Sequence, residues 1–513
     1  MSDNLFELFR ACFPEDRTRA FIETEDGRVH TYADLDAASG RYARLLMDLG
    51  VVKGDRVAVQ VDKSPEAVFL YLACLRAGAI YLPLNTAYTR AEITYFLGDA
   101  EPAALVCRPE GAAEMEALAR EAGVRHVLTL GADETGSLIE RARARAPFDG
   151  CVAVANGDVA AILYTSGTTG RSKGAMLTHG NLAANARALH DIWGFGPDDA
   201  LLHALPIFHT HGLFVAIHCV LLAGARILFL PRFDARAVVR LLPRATVMMG
   251  VPTFYTRLLA EPGLDAEACH DMRLFISGSA PLLDETFHAF RARTGHTILE
   301  RYGMTETGMN TSNPLEGERI AGTVGFPLPG VEARVADEDG KVLVPGEVGV
   351  LEVRGPNVFA GYWRMPEKTA AEFRADGFFI TGDMATIDER GYVRIVGRAK
   401  DLIISGGFNV YPKEVEMCID AVPGVDESAV IGVPDPDFGE AVVALVKRTP
   451  GHEARLAEAI DTACKAELAN YKVPKQVHFI DELPRNAMGK VQKNELRAHF
   501  KDSFASADEA PRP

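Results

Sequence analysis

A chain of 513 residues is too long for one ordinary core, so two or more domains are expected. With 48% hydrophobic and 24% charged residues it has the make-up of a globular protein, and a formal net charge of -16 argues against non-specific binding to nucleic acid or to an anionic membrane. That charge still allows a local basic site for a small polyanion.

The first residues, "MSDNLFELFRACFPED", carry acids early and no basic segment leading into a long apolar run, so no secretory signal is expected. The most apolar stretch, "AVFLYLACLRAGAIYLPL", is interrupted by Arg76 and reads as a buried helix followed by a strand, not a membrane span. The eight cysteines are scattered with no CxxC pair, which suggests neither a zinc cluster nor a disulfide framework. A reducing, cytoplasmic location is the expectation.

"DRVAVQV", "SPEAVFLYLACLRAG" and "AIYLPL" read as strand, helix, strand. "ARILFLP", "FDARAVVRLLPR" and "ATVMMGVP" repeat the order. This alternation predicts layered α/β structure with largely parallel sheets. From about residue 321, short alternating strands punctuated by Gly and Pro predict a β-rich subdomain. A boundary is expected near "VGRAKDLIISGGFNVYPKEVE", dividing the chain into 1–398 and a small α+β domain, 399–513.

The stretch "ILYTSGTTGRSKGAMLTH", residues 162–179, carries the most chemistry. An apolar strand ends in a loop of glycines and hydroxyl residues with Arg171 and Lys173, and a helix is expected from near His179. Backbone N–H groups freed by glycines, with Ser and Thr hydroxyls, form a nest for phosphate. No G-K-[ST] follows, so this is not the loop of a P-loop kinase or ATPase.

The same stretch resembles the phosphate loop of the adenylate-forming superfamily of acyl-CoA and aryl-CoA synthetases, luciferases and peptide-synthetase adenylation domains. "LPIFHTHG" (205–212), "YGMTET" (302–307), "TGD" (381–383), "GRAKDLIISGGFNVYP" (397–412) and "PRNAMGK" (484–490) match that family's motifs in order. The resemblance implies a two-step reaction. A carboxylate attacks the α-phosphorus of ATP, giving an acyl-adenylate and pyrophosphate. A thiol, usually of coenzyme A, then displaces AMP.

It also implies roles. Lys490 would bridge the attacking carboxylate and the α-phosphate. Glu306 would hold Mg2+, with Thr165 assisting. The nucleotide would meet Thr165, Ser166, Gly167, Thr168, Thr169, Gly170 and Lys173 at its phosphates and Thr305 at the α-phosphate. Asp383 and Arg398 would approach the ribose. Ser279, Ala280 and Tyr302 would face the adenine. His209 would line the carboxylate or thiol path, while His211 reads as an ordinary core or pocket histidine. Gly406 and Gly407 would lie along the coenzyme A tunnel, and Lys400 would be the hinge of a mobile C-terminal domain. The lysine of "PRNAMGK" resembles sites of reversible acylation, so a protein lysine acetyltransferase is an expected partner for Lys490.

Arg301 departs from the superfamily, where a small residue often precedes the YGMTE-like motif. A guanidinium keeps its charge in a protein and carries a rigid fork of donors. Pointing at the acyl tail, it would demand an anion there, and a short dicarboxylate supplies one. The phrase "ERYGMTET" together with "LPIFHTHGLF" and "FISGSAPL" is similar to the malonyl-CoA synthetase subfamily. Malonate, with methylmalonate as a further substrate, is the acid implied, Arg301 holding the distal carboxylate and Ser277 a second contact. The alternatives are a ligase for another short or aromatic acid, an enzyme loading a carrier-protein thiol, and a structural role for Arg301 in an ion pair with Glu300 or another acid at the pocket edge.

Overall fold

The computed structural model describes residues 3–165, 172–405, 408–435, 438–449, 455–468, 470–486, 489–501 and 503–504. Two large sheets lie in its first three hundred or so residues. One has six strands, in the order His126–Thr129, Ala104–Cys107, Arg56–Gln60, Ile80–Pro83, Val159–Thr165 and Lys173–Thr178. All its pairings are parallel except the last, where Val159–Thr165 folds back on Lys173–Thr178. The helix Pro65–Ala77, buried except at Glu66, joins two of these strands, starting on a Ser64 cap with Pro65 and ending on Gly78 in the left-handed region. Proline at a helix start and glycine at its end make the strand–helix–strand unit legible in the sequence.

The second sheet has nine strands. Ala20–Thr24, Arg226–Phe229, Ala200–His203, Val247–Gly250, Leu274–Ser277 and Leu299–Met304 run parallel. Antiparallel strands close both edges: Val29–Thr31 on one side, and Gly308–Ser312 followed by Phe326–Pro327 on the other. The expectation of largely parallel sheets holds for the interiors; the antiparallel edges come from tight reversals such as the one after Met304. One continuous apolar cluster links residues of both sheets, from Leu5 to Val393. The predicted helix begins at His179, where Thr178 forms a capping box with Asn181.

The β-rich segment forms a four-stranded antiparallel sheet of Glu332–Ala336, Gly349–Arg354, Phe379–Ile387 and Val393–Arg398. A separate apolar cluster begins at Ile403 and packs a last sheet against the helices Pro412–Asp420 and Leu456–Glu467. In that sheet Val425–Asp435 and Gly439–Arg448 run antiparallel, and Gln476–Ile480 joins in parallel. The architecture is thus layered α/β, with a β-rich subdomain and a small α+β unit at the C-terminal end. All eight cysteines are free thiols. Among the described residues no helix is long and apolar enough to cross a membrane.

Candidate active site

The candidate residues converge where the C-terminal ends of parallel strands from the two large sheets meet. In doubly wound folds such ends are the usual place for a ligand, because loops there are free of the sheet. Ser166, Gly167, Thr168, Thr169 and Gly170, with Gly406 and Gly407, lie outside the described residues. Their flanks are described: Thr165 ends one strand, and the next returns from Lys173, its register partner.

Glu306 is buried, and its Oε1 lies 3.4 Å from the Thr165 hydroxyl and 3.0 Å from the Tyr362 hydroxyl. Burial raises its carboxyl above the ordinary range. Thr165 and Glu306 suit a hard cation. Among the described residues no group of three or more His, Cys, Asp or Glu could hold a metal by itself. Mg2+ fits that donor set, since it takes few protein oxygens and completes its shell with phosphates and water.

Lys173 is buried and lies 3.1 Å from Glu372, with its ammonium 4.0 Å from the centre of the Tyr362 ring. Tyr362 also donates to Glu372 Oε2 at 2.6 Å. One hydroxyl therefore ties together two glutamates, one beside Thr165 and one beside Lys173. Neither Tyr362 nor Glu372 was expected at the site.

The Asp383 carboxylate is held from two sides. Tyr302 donates its phenol proton at 2.5 Å, and the Arg398 guanidinium lies 2.6 Å away. Asp383 and Arg398 are register partners in the antiparallel sheet, so the pair is set by the fold. Ser279 takes φ 72°, a left-handed conformation uncommon for a non-glycine residue and often found where a site is shaped. Ala280 follows it, half-buried, as is Thr305 beside Glu306.

Lys490 lies on the loop where Gly489 approaches Thr253: a Cβ on Gly489 would stand 3.5 Å from the threonine hydroxyl. Solvent reaches the Lys490 side chain, and the charges of Arg398, Asp383, Lys400 and Asp401 act on its ammonium. Burial pulls it down to about 8, and the Arg398 charge adds to that. Lys490 is thus within electrostatic reach of Arg398 and Asp383. Lys400, in the short turn Ala399–Asp401, is exposed.

Arg301 is only 2% exposed, and its Nε and Nη2 have no hydrogen-bond partner among the described residues. No ion pair to Glu300 forms. Glu300 points away along the strand, and burial pushes its carboxyl up to about 8, with Asp284 adding to the shift. The ion-pair reading of Arg301, with Glu300 or another acid at the pocket edge, therefore does not hold among the described residues: alternation along a strand sends Glu300 to the opposite face. Burial lowers the Arg301 guanidinium to about 9, which leaves it charged at neutral pH.

The guanidinium lies flat against Gly278, where an added Cβ would stand 2.5 Å from Cζ. His209 and His211 share its pocket. Burial, then the Arg301 charge, lowers His209 to about 4 and His211 well below the ordinary range, so both imidazoles are neutral. His211 Nδ1 is 3.3 Å from the Ser279 hydroxyl, and its buried Nε2 has no partner among the described residues. It opens the π-helical turn His211–Ile217, a wide turn often found at functional sites. Ser277 is fully buried and its hydroxyl has no partner among the described residues, but its register partner is Glu300, so by alternation it shares Glu300's face.

The glycine against Arg301 has a measurable consequence. Gly278→Ala displaces the end of a flexible side chain and not backbone, so the protein folds normally. A misplacement near 1 Å at a recognition group costs about 10²-fold in kcat/KM for the acid that Arg301 reads, with KM for ATP unchanged. Steady-state kinetics with each substrate varied in turn checks this.

Residues 8–363 match the AMP-binding enzyme family, and residues 414–490 match the AMP-binding enzyme C-terminal domain. The chain belongs to this family of AMP-binding enzymes. Its relatives include a malonate–CoA ligase of Arabidopsis thaliana, 34% identical over 97% of this chain and 89% of that one. A human mitochondrial malonate–CoA ligase is 36% identical over 94% of this chain and 90% of its own. Among solved structures, ATP-bound MatB from Rhodopseudomonas palustris is 56% identical, covers 98% of this chain and 100% of its own, and superposes with a TM-score of 0.95. A feruloyl-CoA synthase of Amycolatopsis is 38% identical over 92% of this chain and 94% of that one.

Proposed function

We propose that the chain is an ATP-dependent malonate–CoA ligase that also accepts methylmalonate. The observation that carries this is Arg301: a buried guanidinium with free donors, in an enzyme family that activates carboxylates. A buried cation without a partner is strongly unfavourable, so the site is built for an anionic tail. Malonate places one carboxylate on that fork and leaves the other to react. The malonate–CoA ligases among the relatives support the same acid. His209, neutral beside Arg301, lines the path of the reacting group. Ser277 is left out of this contact, because strand alternation sets it on the face of Glu300 and away from Arg301.

In the first half-reaction a malonate oxygen attacks the α-phosphorus of ATP, and the bond to pyrophosphate breaks. Lys490 and Thr305 face the charge that develops there. Fixed positive charge in such a site stabilises the transition state without reorganising at the moment of reaction. Asp383 and Arg398 hold the ribose, and the 165–173 loop with Lys173 holds the phosphates. Thr165 and Glu306 would hold Mg2+, which neutralises phosphate charge when bound. In the second half-reaction the thiol of coenzyme A attacks the acyl carbon. The C–O bond to AMP breaks, the thiol loses its proton, and malonyl-CoA and AMP leave.

The division at 398/399 and a hinge at Lys400 complete the proposal. Lys490 serves the first step, and the segment with Gly406 and Gly407 serves the second after the C-terminal unit turns. The free thiols suit a cytoplasmic setting. Acylation of Lys490 by a protein lysine acetyltransferase would remove the charge that the first step needs; peptide mass spectrometry of protein from its host that finds this lysine always unmodified counts against it.

Incubation with ATP, Mg2+, coenzyme A and malonate should give malonyl-CoA and AMP in equal amounts, read by mass spectrometry. A thioester formed from ferulate but not from malonate sinks the proposal. The pH dependence is signed. Lys490 acts as a cation, and its charged form is lost as pH rises through about 8. The kcat/KM of the adenylation step should therefore be flat below that pH and fall above it, since kcat/KM reports the free enzyme.

A further inference from the structure

A buried ammonium always needs an anion, and Lys173 already has one. Glu372 Oε1 lies 3.1 Å from Lys173 and 2.8 Å from Lys368. Its other oxygen accepts the Tyr362 hydroxyl at 2.6 Å. Glu372 sits at the end of the short helix Pro366–Ala371, just after the segment that carries Tyr362. That segment is pinned on both flanks. Phe359 N–H donates to Glu306 O at 2.8 Å, and Trp363 N–H donates to Gly174 O at 2.7 Å. The Glu372 carboxylate is therefore fixed in place by the backbone around Glu306 and by the strand that begins at Lys173. Burial opposes its ionisation, but hydrogen bonds from Lys368, Tyr362 and Lys173 hold its carboxyl below the usual range.

We propose that Glu372 is the resting counter-ion of Lys173, and that ATP binds by exchanging its own phosphate charge for this carboxylate. Glu372 is a positioning residue. It keeps the lysine buried and charged while no nucleotide is present, and it retains Lys368 as partner once Lys173 turns to phosphate. Because it takes Lys173 as a phosphate ligand, the exchange rests on the nucleotide role proposed above.

The two ideas separate by the sign of a binding change. A residue that merely shaped the site would weaken ATP binding when altered. A competing counter-ion tightens it. Glu372→Gln keeps the shape and removes the charge. Its Kd for ATP, measured by titration calorimetry in EDTA, should fall on the order of tenfold, as expected when a like charge is removed from an anion site. Adenosine, which has no phosphate, should bind as it does to the unaltered protein, and this arm also reports that the nucleoside pocket is folded. The calorimetric Kd needs neither metal nor turnover.

Lys173→Met tests the underlying reading. If ATP binds that variant as tightly as the unaltered protein, Lys173 is not a phosphate ligand and both ideas fall. If Lys173→Met weakens ATP but Glu372→Gln leaves it unchanged or weaker, the exchange alone is wrong. In the double variant the tightening from Glu372→Gln should vanish, because nothing is left to compete for. Tightening that persists there shows general repulsion by the carboxylate and overturns the counter-ion role.

Discussion

Lys490→Ala should lower malonate-dependent ATP–pyrophosphate exchange on the order of 10²- to 10³-fold, the usual effect of removing one preorganised charge from a transition state. Two anions, a carboxylate and a triphosphate, must meet in this step. The cations described nearby have other duties: Arg398 is paired with Asp383 at 2.6 Å, and Lys173, paired at rest with Glu372 at 3.1 Å, is proposed for the phosphates and not for the attacking carboxylate. Lys490 is paired with neither acid; burial lowers its pKa to about 8 and the Arg398 charge adds to that, against the opposing pull of Asp383. Binding of ATP alone should change little, because the effect belongs to the reaction. The variant should also still convert supplied malonyl-adenylate to malonyl-CoA, since thiol attack does not use this charge. Loss of both half-reactions to the same degree would mean that Lys490 holds the fold or the nucleotide.

Arg301→Met should lower kcat/KM for malonate by roughly 10²- to 10⁴-fold, from two charge-assisted hydrogen bonds at about 1.5–3 kcal/mol each. The same variant should be more stable than the unaltered protein. A buried cation with unpaired donors is costly, and replacing buried ionic groups by apolar ones of similar volume is neutral or stabilising by about 1–4 kcal/mol. Activity lost while the thermal midpoint holds or rises is the signature of a recognition residue. A fall in both would point to a structural arginine.

Much of the candidate site is legible in the sequence, but not all from physics. Residues 162–179 read from their own types as a nest for phosphate, whereas the roles proposed for Glu306, Asp383 and Lys490 come with the family motifs in which they lie. Arg301 stands out because a permanent charge sits among residues that build a pocket. The strand–helix–strand units were readable because caps and prolines mark their ends, as at Ser64, Pro65 and Gly78.

The parts that were not legible are made by distance in the chain. Lys173 and Glu372 are separated by 199 positions, and no local pattern joins them. Tyr362 reaches Glu306 across 56 positions. The left-handed turn at Ser279 was hidden because a serine carries no conformational mark. In the fold, Gly278 is where the Arg301 guanidinium rests. For His211 the sequence left core and pocket undivided, because it does not show the π-helical turn that this residue opens.

The central claim is that a second carboxylate, not acyl length, is what this enzyme reads. Its most direct test is the wild-type kcat/KM for malonate against monomethyl malonate, which keeps the reacting carboxylate and the carbon chain but masks the other charge. A preference for malonate of about 10²-fold or more is the predicted result. Equal or faster turnover of the monoester would contradict it, and would leave Arg301 without the partner that its buried, open fork requires.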